Sequence, residues 1–141
     1  PELISKLVQA KQASDLHTPT LNQMICYEMA KTGFLTQQAR KVSTVYKERM
    51  ELMYSEVKRI FPEGTKVSRP SGGMFLWITL PEGMDADDLW KKALNRKVAF
   101  VPGAPFFPDN PKSNTLRLNF SNSDLDTIRE GMRRIEEALH S

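Results

Sequence analysis

Residues 115–120 read Thr115-Leu116-Arg117-Leu118-Asn119-Phe120, and the rest of the chain can be placed from this hexapeptide. Every second position is bulky and apolar. An extended backbone therefore puts Leu116, Leu118 and Phe120 on one face and Thr115, Arg117 and Asn119 on the other. An arginine in mid-strand between two leucines needs an anionic partner wherever its own face is covered. Its planar fork matches a carboxylate through two parallel hydrogen bonds. A half-exposed strand arginine, or one paired with an internal Asp or Glu, fits the same pattern.

Downstream, Leu125, Ile128, Met132, Ile135 and Leu139 recur at spacings of three and four, the period of a helix with one buried face. Ser123 is its expected N-cap, with Asp126 as a weaker form of the capping-box partner. Upstream, residues 104–114 form a Pro-rich loop that carries Phe106 and Phe107 side by side. Either this loop folds onto the sheet or one ring closes over a pocket or a partner chain. Residues 98–101 predict a short buried strand that Pro102-Gly103 stops. Before it, Asp85 is expected to cap a helix through Leu89, Trp90, Ala93 and Leu94, with Asp87 and Asp88 in its first turn. Residues 74–80 alternate large side chains on both faces, which predicts a strand covered on both sides. Ser71-Gly72-Gly73 precedes it and offers either a tight turn or a backbone that a ligand can approach closely.

The first sixty residues are helical in period. Leu3, Ile4, Leu7 and Val8 form a stripe over residues 2–14, and Pro19 breaks it. A second helix runs through Leu21, Met24, Ile25 and Met29 and ends at Gly33. Its start, from His17 through Thr18 and Asn22 to Gln23, offers N–H groups and polar side chains that suit either a phosphate or an ordinary cap. Cys26, between Ile25 and Tyr27, reads as an inert core thiol. Thr36 is the expected N-cap of a third helix of ~24 residues, ~36 Å long. Its apolar positions are Val42, Val45, Tyr46, Met53, Val57 and Ile60, and Pro62 and Gly64 close it. Three helices followed by strand, helix, strand, loop, strand and helix predict an α+β fold, a small mainly antiparallel sheet covered by helices.

Composition narrows the function. The 141 residues hold 20 Lys and Arg against 17 Asp and Glu, a net charge of +3 that is too small to imply a nucleic-acid partner. One cysteine excludes an internal disulfide, and two histidines with one cysteine exclude the common zinc patterns, so no metal is expected. No apolar run approaches the ~20 residues that span a bilayer, so no membrane partner is expected. No charged-then-apolar leader opens the sequence, and a cytoplasmic setting is the expectation. A start at Pro1 rather than Met is read as processing, or as a piece of something longer. No Gly-rich phosphate loop or Ser/His/Asp order is visible.

Three blocks carry a resemblance. Pro70-Ser71-Gly72-Gly73-Met74-Phe75-Leu76-Trp77 comes first. Val98-Ala99-Phe100-Val101-Pro102-Gly103 follows, with Phe106-Phe107 after it, and then Thr115-Leu116-Arg117-Leu118-Asn119-Phe120-Ser121. In this order they resemble the C-terminal third of class I/II (fold type I) pyridoxal-phosphate aminotransferases. Leu16-His17-Thr18-Pro19-Thr20-Leu21-Asn22-Gln23 resembles the branch that contains 2-aminoadipate and kynurenine aminotransferases.

The resemblance implies a division into residues 1–33, a helical segment connecting to a large domain, and residues 34–141, a small C-terminal domain that closes over substrate. Arg117 would grip the substrate α-carboxylate, with Gly72, Gly73 and Asn119 on the substrate side. The turn after Val101 would lie at the domain closure. Thr18 and Asn22 would lie near a dimer interface and the cofactor, pyridoxal 5'-phosphate. The parent would be a homodimer moving an amino group between an amino acid of 2-aminoadipate or aromatic type and a 2-oxo acid such as 2-oxoglutarate. The lysine that forms an imine with the cofactor would precede this segment, and Lys6 lacks its context. These 141 residues alone are therefore expected to be inactive and to bind no cofactor. The alternative is the aminotransferase-like effector domain of a transcriptional regulator.

Overall fold

The helical periods of the N-terminal part become three helices in the computed structural model, which describes residues 2–141: α1 (Glu2–Ser14), α2 (Thr20–Lys31) and α3 (Phe34–Ile60). After them come β1 (Lys66–Val67), β2 (Phe75–Thr79), α4 (Ala86–Asn95), β3 (Val101–Pro102), a 3-10 turn (Ala104–Phe106), β4 (Thr115–Asn119) and α5 (Leu125–Leu139). The strands form one antiparallel sheet in the order β1-β2-β4-β3. The expected α+β class is what the structure shows. Two compact units divide the chain within α3, one up to Val42 and one from Ser43 onward.

In the second unit, alternation decides which face of the sheet is buried. Leu76 and Ile78 of β2 and Leu116 and Leu118 of β4 point the same way and are fully or almost fully covered. Met50, Met53, Val57 and Ile60 of α3, Leu89 and Ala93 of α4, and Ile128, Met132 and Ile135 of α5 pack with them into one core. Burying side chains of this size stabilises by ~1.5–3 kcal/mol each before the entropy of ordering is subtracted. The opposite face carries Phe75, Trp77 and Thr79, all half-buried. That corrects the expectation of a strand covered alike on both sides, because all three helices pack on one face and a loop supplies what lies on the other.

Several boundaries differ from the sequence reading, each for a local reason. Gly33, at φ +75°, ends α2, and its carbonyl already accepts the N–H of Gln37, so α3 begins at Phe34. Thr36 therefore sits inside the first turn instead of capping it. At α5 the cap is Asp124, not Ser123: its carboxylate accepts from the Thr127 N–H at 2.8 Å. The hydrogen bonds from Thr127 hold that carboxyl below its ordinary range. Asp85 caps α4 as expected, accepting from the N–H groups of Asp87 and Asp88.

Residues 98–100 are not strand. The Val98 N–H is still tied to the Ala93 carbonyl of α4, and pairing begins only at Val101, opposite Arg117, and Pro102, opposite Leu116. Pro102 has no N–H to donate, which an edge strand tolerates. Gly103 follows, buried, and donates its N–H to the Thr115 carbonyl at 2.7 Å. A Cβ at this glycine would lie 2.2 Å from Thr115 Oγ1 and 2.8 Å from its Cβ.

In α5, hydrogen bonds from Arg133 and then Arg134 pull the Glu130 carboxyl down to about 2, from an ordinary value of 4.5. Glu130 is 44 % exposed, so water screens the interaction and its contribution is small. Its pKa falls on folding, so its contribution is complete above about pH 4.5 and disappears as pH drops towards 2. Glu130→Gln should therefore be slightly less stable than the parent in urea melts at pH 6, and the gap should close by pH 2. A gap independent of pH would show that the pair contributes nothing through charge.

The first unit is different in kind. None of the residues of α1 or α2 is buried, and their apolar stripes face outward: Leu3 is 73 % exposed and Leu21 68 %. Cys26, read as a core thiol, is exposed for the same reason.

Candidate functional site

Arg117 stands at the centre of the sheet face opposite the helices. Trp77 of β2 and Val101 of β3 are its cross-strand partners. Phe75 lies diagonally across from it on the same face, a position within reach of an aromatic ring. The Arg117 Cζ lies 4.0 Å from the centroid of the Phe75 ring. The 3-10 turn brings a second ring, Phe106, to 4.7 Å from the same atom. Trp77 supports this second ring edge-on, at 5.7 Å and 83°, and Phe107 also packs on Trp77, at 6.1 Å. The Pro-rich loop thus folds onto the sheet, the first of the two expected alternatives.

The electrostatics of this arginine are unusual for a strand. Among the described residues no carboxylate pairs with it, although eleven ion pairs form elsewhere. Its Nε is covered and meets no acceptor. An open hollow of about 1070 Å³ is lined by Arg117, Asn119 and Val101 and, on the helical side of the sheet, by Phe100, Leu118 and α5 from Asp126 to Ile135. Two rings stabilise a cation without taking the place of a carboxylate acceptor, because the attraction comes from the ring quadrupole. The arrangement is a charged donor fork with spare valence, which suits a carboxylate.

The other expected residues divide. Asn119 is exposed on the Arg117 face, and its side-chain oxygen accepts from the N–H (2.8 Å) and Oγ (2.9 Å) of Ser121. The Nδ2 of Asn119 keeps its donors. The Ser121 carbonyl is in turn held by Arg49 Nη1 at 2.5 Å, which fixes this turn to α3. Gly73 and Gly72 are exposed, two and three residues before Phe75. Gly73 needs its φ of +86°, whereas nothing lies within 4 Å of a Cβ at Gly72. Thr18 and Asn22 belong to the first unit. The Thr18 carbonyl accepts from Gln23 Nε2 at 2.6 Å and from His17 Nδ1 at 2.9 Å, and no side chain caps the start of α2. Phe106, with Phe107, was one of the two rings that the sequence offered for closing over a pocket, whereas Phe75 and Trp77 were not singled out as site residues. The diagonal position of Phe75 requires the β2–β4 register.

The fold and this site define an α+β domain that carries, on the sheet face opposite its helices, an arginine paired with no carboxylate among the described residues. The chain belongs to the aminotransferase class I and II family, whose profile matches residues 2–135. It is 47 % identical over 139 residues to the 2-aminoadipate transaminase of Thermus thermophilus, covering 99 % of this chain and 35 % of that protein. It is 40 % identical to aromatic-amino-acid aminotransferase 1 of Thermococcus litoralis, covering 99 % and 33 %. Among solved structures, it superposes with a TM-score of 0.84 and 46 % identity on LysN, the α-aminoadipate aminotransferase of Thermus thermophilus. That match covers 99 % of this chain and 36 % of LysN, which was crystallised with N-(5'-phosphopyridoxyl)-L-leucine. The chain thus spans about a third of the length of the relatives it matches.

Proposed function

We propose that these residues are the substrate-facing C-terminal part of a pyridoxal-phosphate aminotransferase. Its reaction would exchange the amino group of a 2-aminoadipate-type or aromatic amino acid with the oxo group of a 2-oxo acid such as 2-oxoglutarate. One observation carries this reading: the Arg117 guanidinium, set over two aromatic rings, its Nε without an acceptor and paired with no carboxylate among the described residues. The amino acid and the oxo acid share an α-carboxylate beside the carbon that changes. A single guanidinium can therefore orient the substrate of either half of the exchange. Asn119, next on the same face, has amide donors to add.

Bound cofactor would supply the electron sink for the bonds at that carbon. In this family it is carried by a lysine, and every described lysine of this chain is exposed. None lies in the desolvated setting that would favour a reactive amine, so the residues present do not make a seat for the cofactor. Their part is to bind and orient the carboxylate.

The test is an amino-transfer assay on the full-length protein containing this chain, using 2-aminoadipate, tyrosine and phenylalanine with 2-oxoglutarate. Glutamate formation from at least one of them is the expected outcome. No transfer, together with specific binding to DNA, would replace this reading by a transcriptional regulator with the same fold. The isolated 141 residues should neither catalyse transfer nor acquire a stoichiometric visible absorbance with pyridoxal phosphate.

A further inference from the structure

We propose that Phe106 is a positioning residue: it acts through Arg117, closing an aromatic slot that holds the guanidinium plane at the angle a carboxylate requires. The inference rests on the carboxylate-binding role of Arg117. Three observations support it. The Arg117 Cζ lies over two rings, 4.0 Å from the Phe75 centroid and 4.7 Å from the Phe106 centroid, and ring contacts of this kind leave N–H groups for hydrogen bonding. The covered Nε has no acceptor among the described residues, so no hydrogen bond at that atom sets the rotation of the group. The rings perform that task instead. Finally, the two rings have different origins. Phe75 belongs to β2 and is fixed by the sheet, whereas Phe106 ends a three-residue 3-10 turn, is 48 % exposed and is oriented by its edge contact with Trp77.

A carboxylate is held by two parallel bonds only when the fork lies in its plane, so a guanidinium free to rotate loses the geometry without losing its charge. Removing the Phe106 ring should therefore weaken recognition of the carboxylate group more than it slows the chemistry. Phe106 is exposed and does not belong to the buried core, and its loss should leave the fold in place.

The experiment compares Phe106→Leu, Phe106→Tyr and Arg117→Gln in the full-length holoenzyme. It is paired with ¹⁵N-arginine spectra of the 141-residue chain, in which the Arg117 Nε–H should be displaced by the ring currents. Phe106→Leu should raise the KM for the amino acid about tenfold, with a smaller fall in kcat, and should move the Arg117 resonance towards the ordinary arginine position. Phe106→Tyr keeps a ring and should restore both. If Arg117→Gln raises KM while Phe106→Leu does not, the slot plays no part and the inference is overturned, with the carboxylate role intact. If Arg117→Gln itself leaves KM unchanged, the underlying role falls and the inference with it. An Arg117 resonance that does not respond to Phe106→Leu also overturns it, whatever the kinetics.

Discussion

Arg117→Ala in the full-length protein should lower kcat/KM about 30-fold to a few thousand-fold for every amino acid it accepts. Truncating one partner of a desolvated, hydrogen-bonded charge pair costs ~2–5 kcal/mol, and each ~1.4 kcal/mol is a factor of ten. Both constants should change: KM rises because the carboxylate loses its anchor, and kcat falls because the reacting carbon is no longer held in place. The loss should be confined to substrates with an α-carboxylate. An amine lacking that group has nothing to offer the fork and should be processed equally by both proteins, however slowly. Kinetics unchanged by the substitution would remove the assigned role. The side chain contributes nothing to the apolar core on the helical side of the sheet, so circular dichroism of the variant should match the parent.

Gly103→Ala should be the most damaging single methyl that can be added to this chain. The new carbon would lie 2.2 Å from Thr115 Oγ1, 2.8 Å from the Thr115 Cβ and 2.9 Å from its carbonyl carbon. A rotamer change of Thr115 relieves only the first clash, because the other two atoms are fixed by β4. Thr115 is buried and its hydroxyl donates to the Lys112 carbonyl at 2.9 Å, so even that movement breaks a bond. The backbone must separate, and the Gly103 N–H bond to the Thr115 carbonyl separates with it. The expected cost is ~3 kcal/mol or more, at the upper end of overpacking. Gly72→Ala is the control: open space surrounds that position, and its midpoint in a denaturant titration should stay within ~0.5 kcal/mol of the parent. Equal midpoints for the two variants would show that the β3–β4 junction yields easily.

Wherever one element fixes its own pattern, the residues alone were sufficient. The alternation at 115–120 separated Leu116, Leu118 and Phe120 from Arg117 on opposite faces, and the structure buries the apolar three in the core. The spacing of Ile128, Met132 and Ile135 gave α5, and Asp85 gave the start of α4. What escaped depends on partners distant in sequence. Lys66 and Val67 are too few to show a period, and they are strand only because Thr79 and Ile78 pair with them. The stripe of Leu3, Ile4, Leu7 and Val8 correctly marked a helix but not a buried one, since periodicity reports a face and not its cover. At the site, Arg117 was legible as a cation needing a partner. That its nearest neighbours are rings was not, because Phe106 arrives by a loop whose course no local rule sets.

The sheet has a further consequence at its borders. Its two five-residue strands lie in the middle, while both outer strands are two residues long, one ending in Pro102 and the other beginning with Lys66. Unpaired N–H and C=O groups along a sheet's margin invite a second chain to dock and propagate into fibrils. Here each margin is too short, and too interrupted by an imino acid or an ammonium group, to template that growth. Clumping of the purified polypeptide should accordingly proceed through the greasy helices that precede Gly33, and its product should lack the cross-β signature.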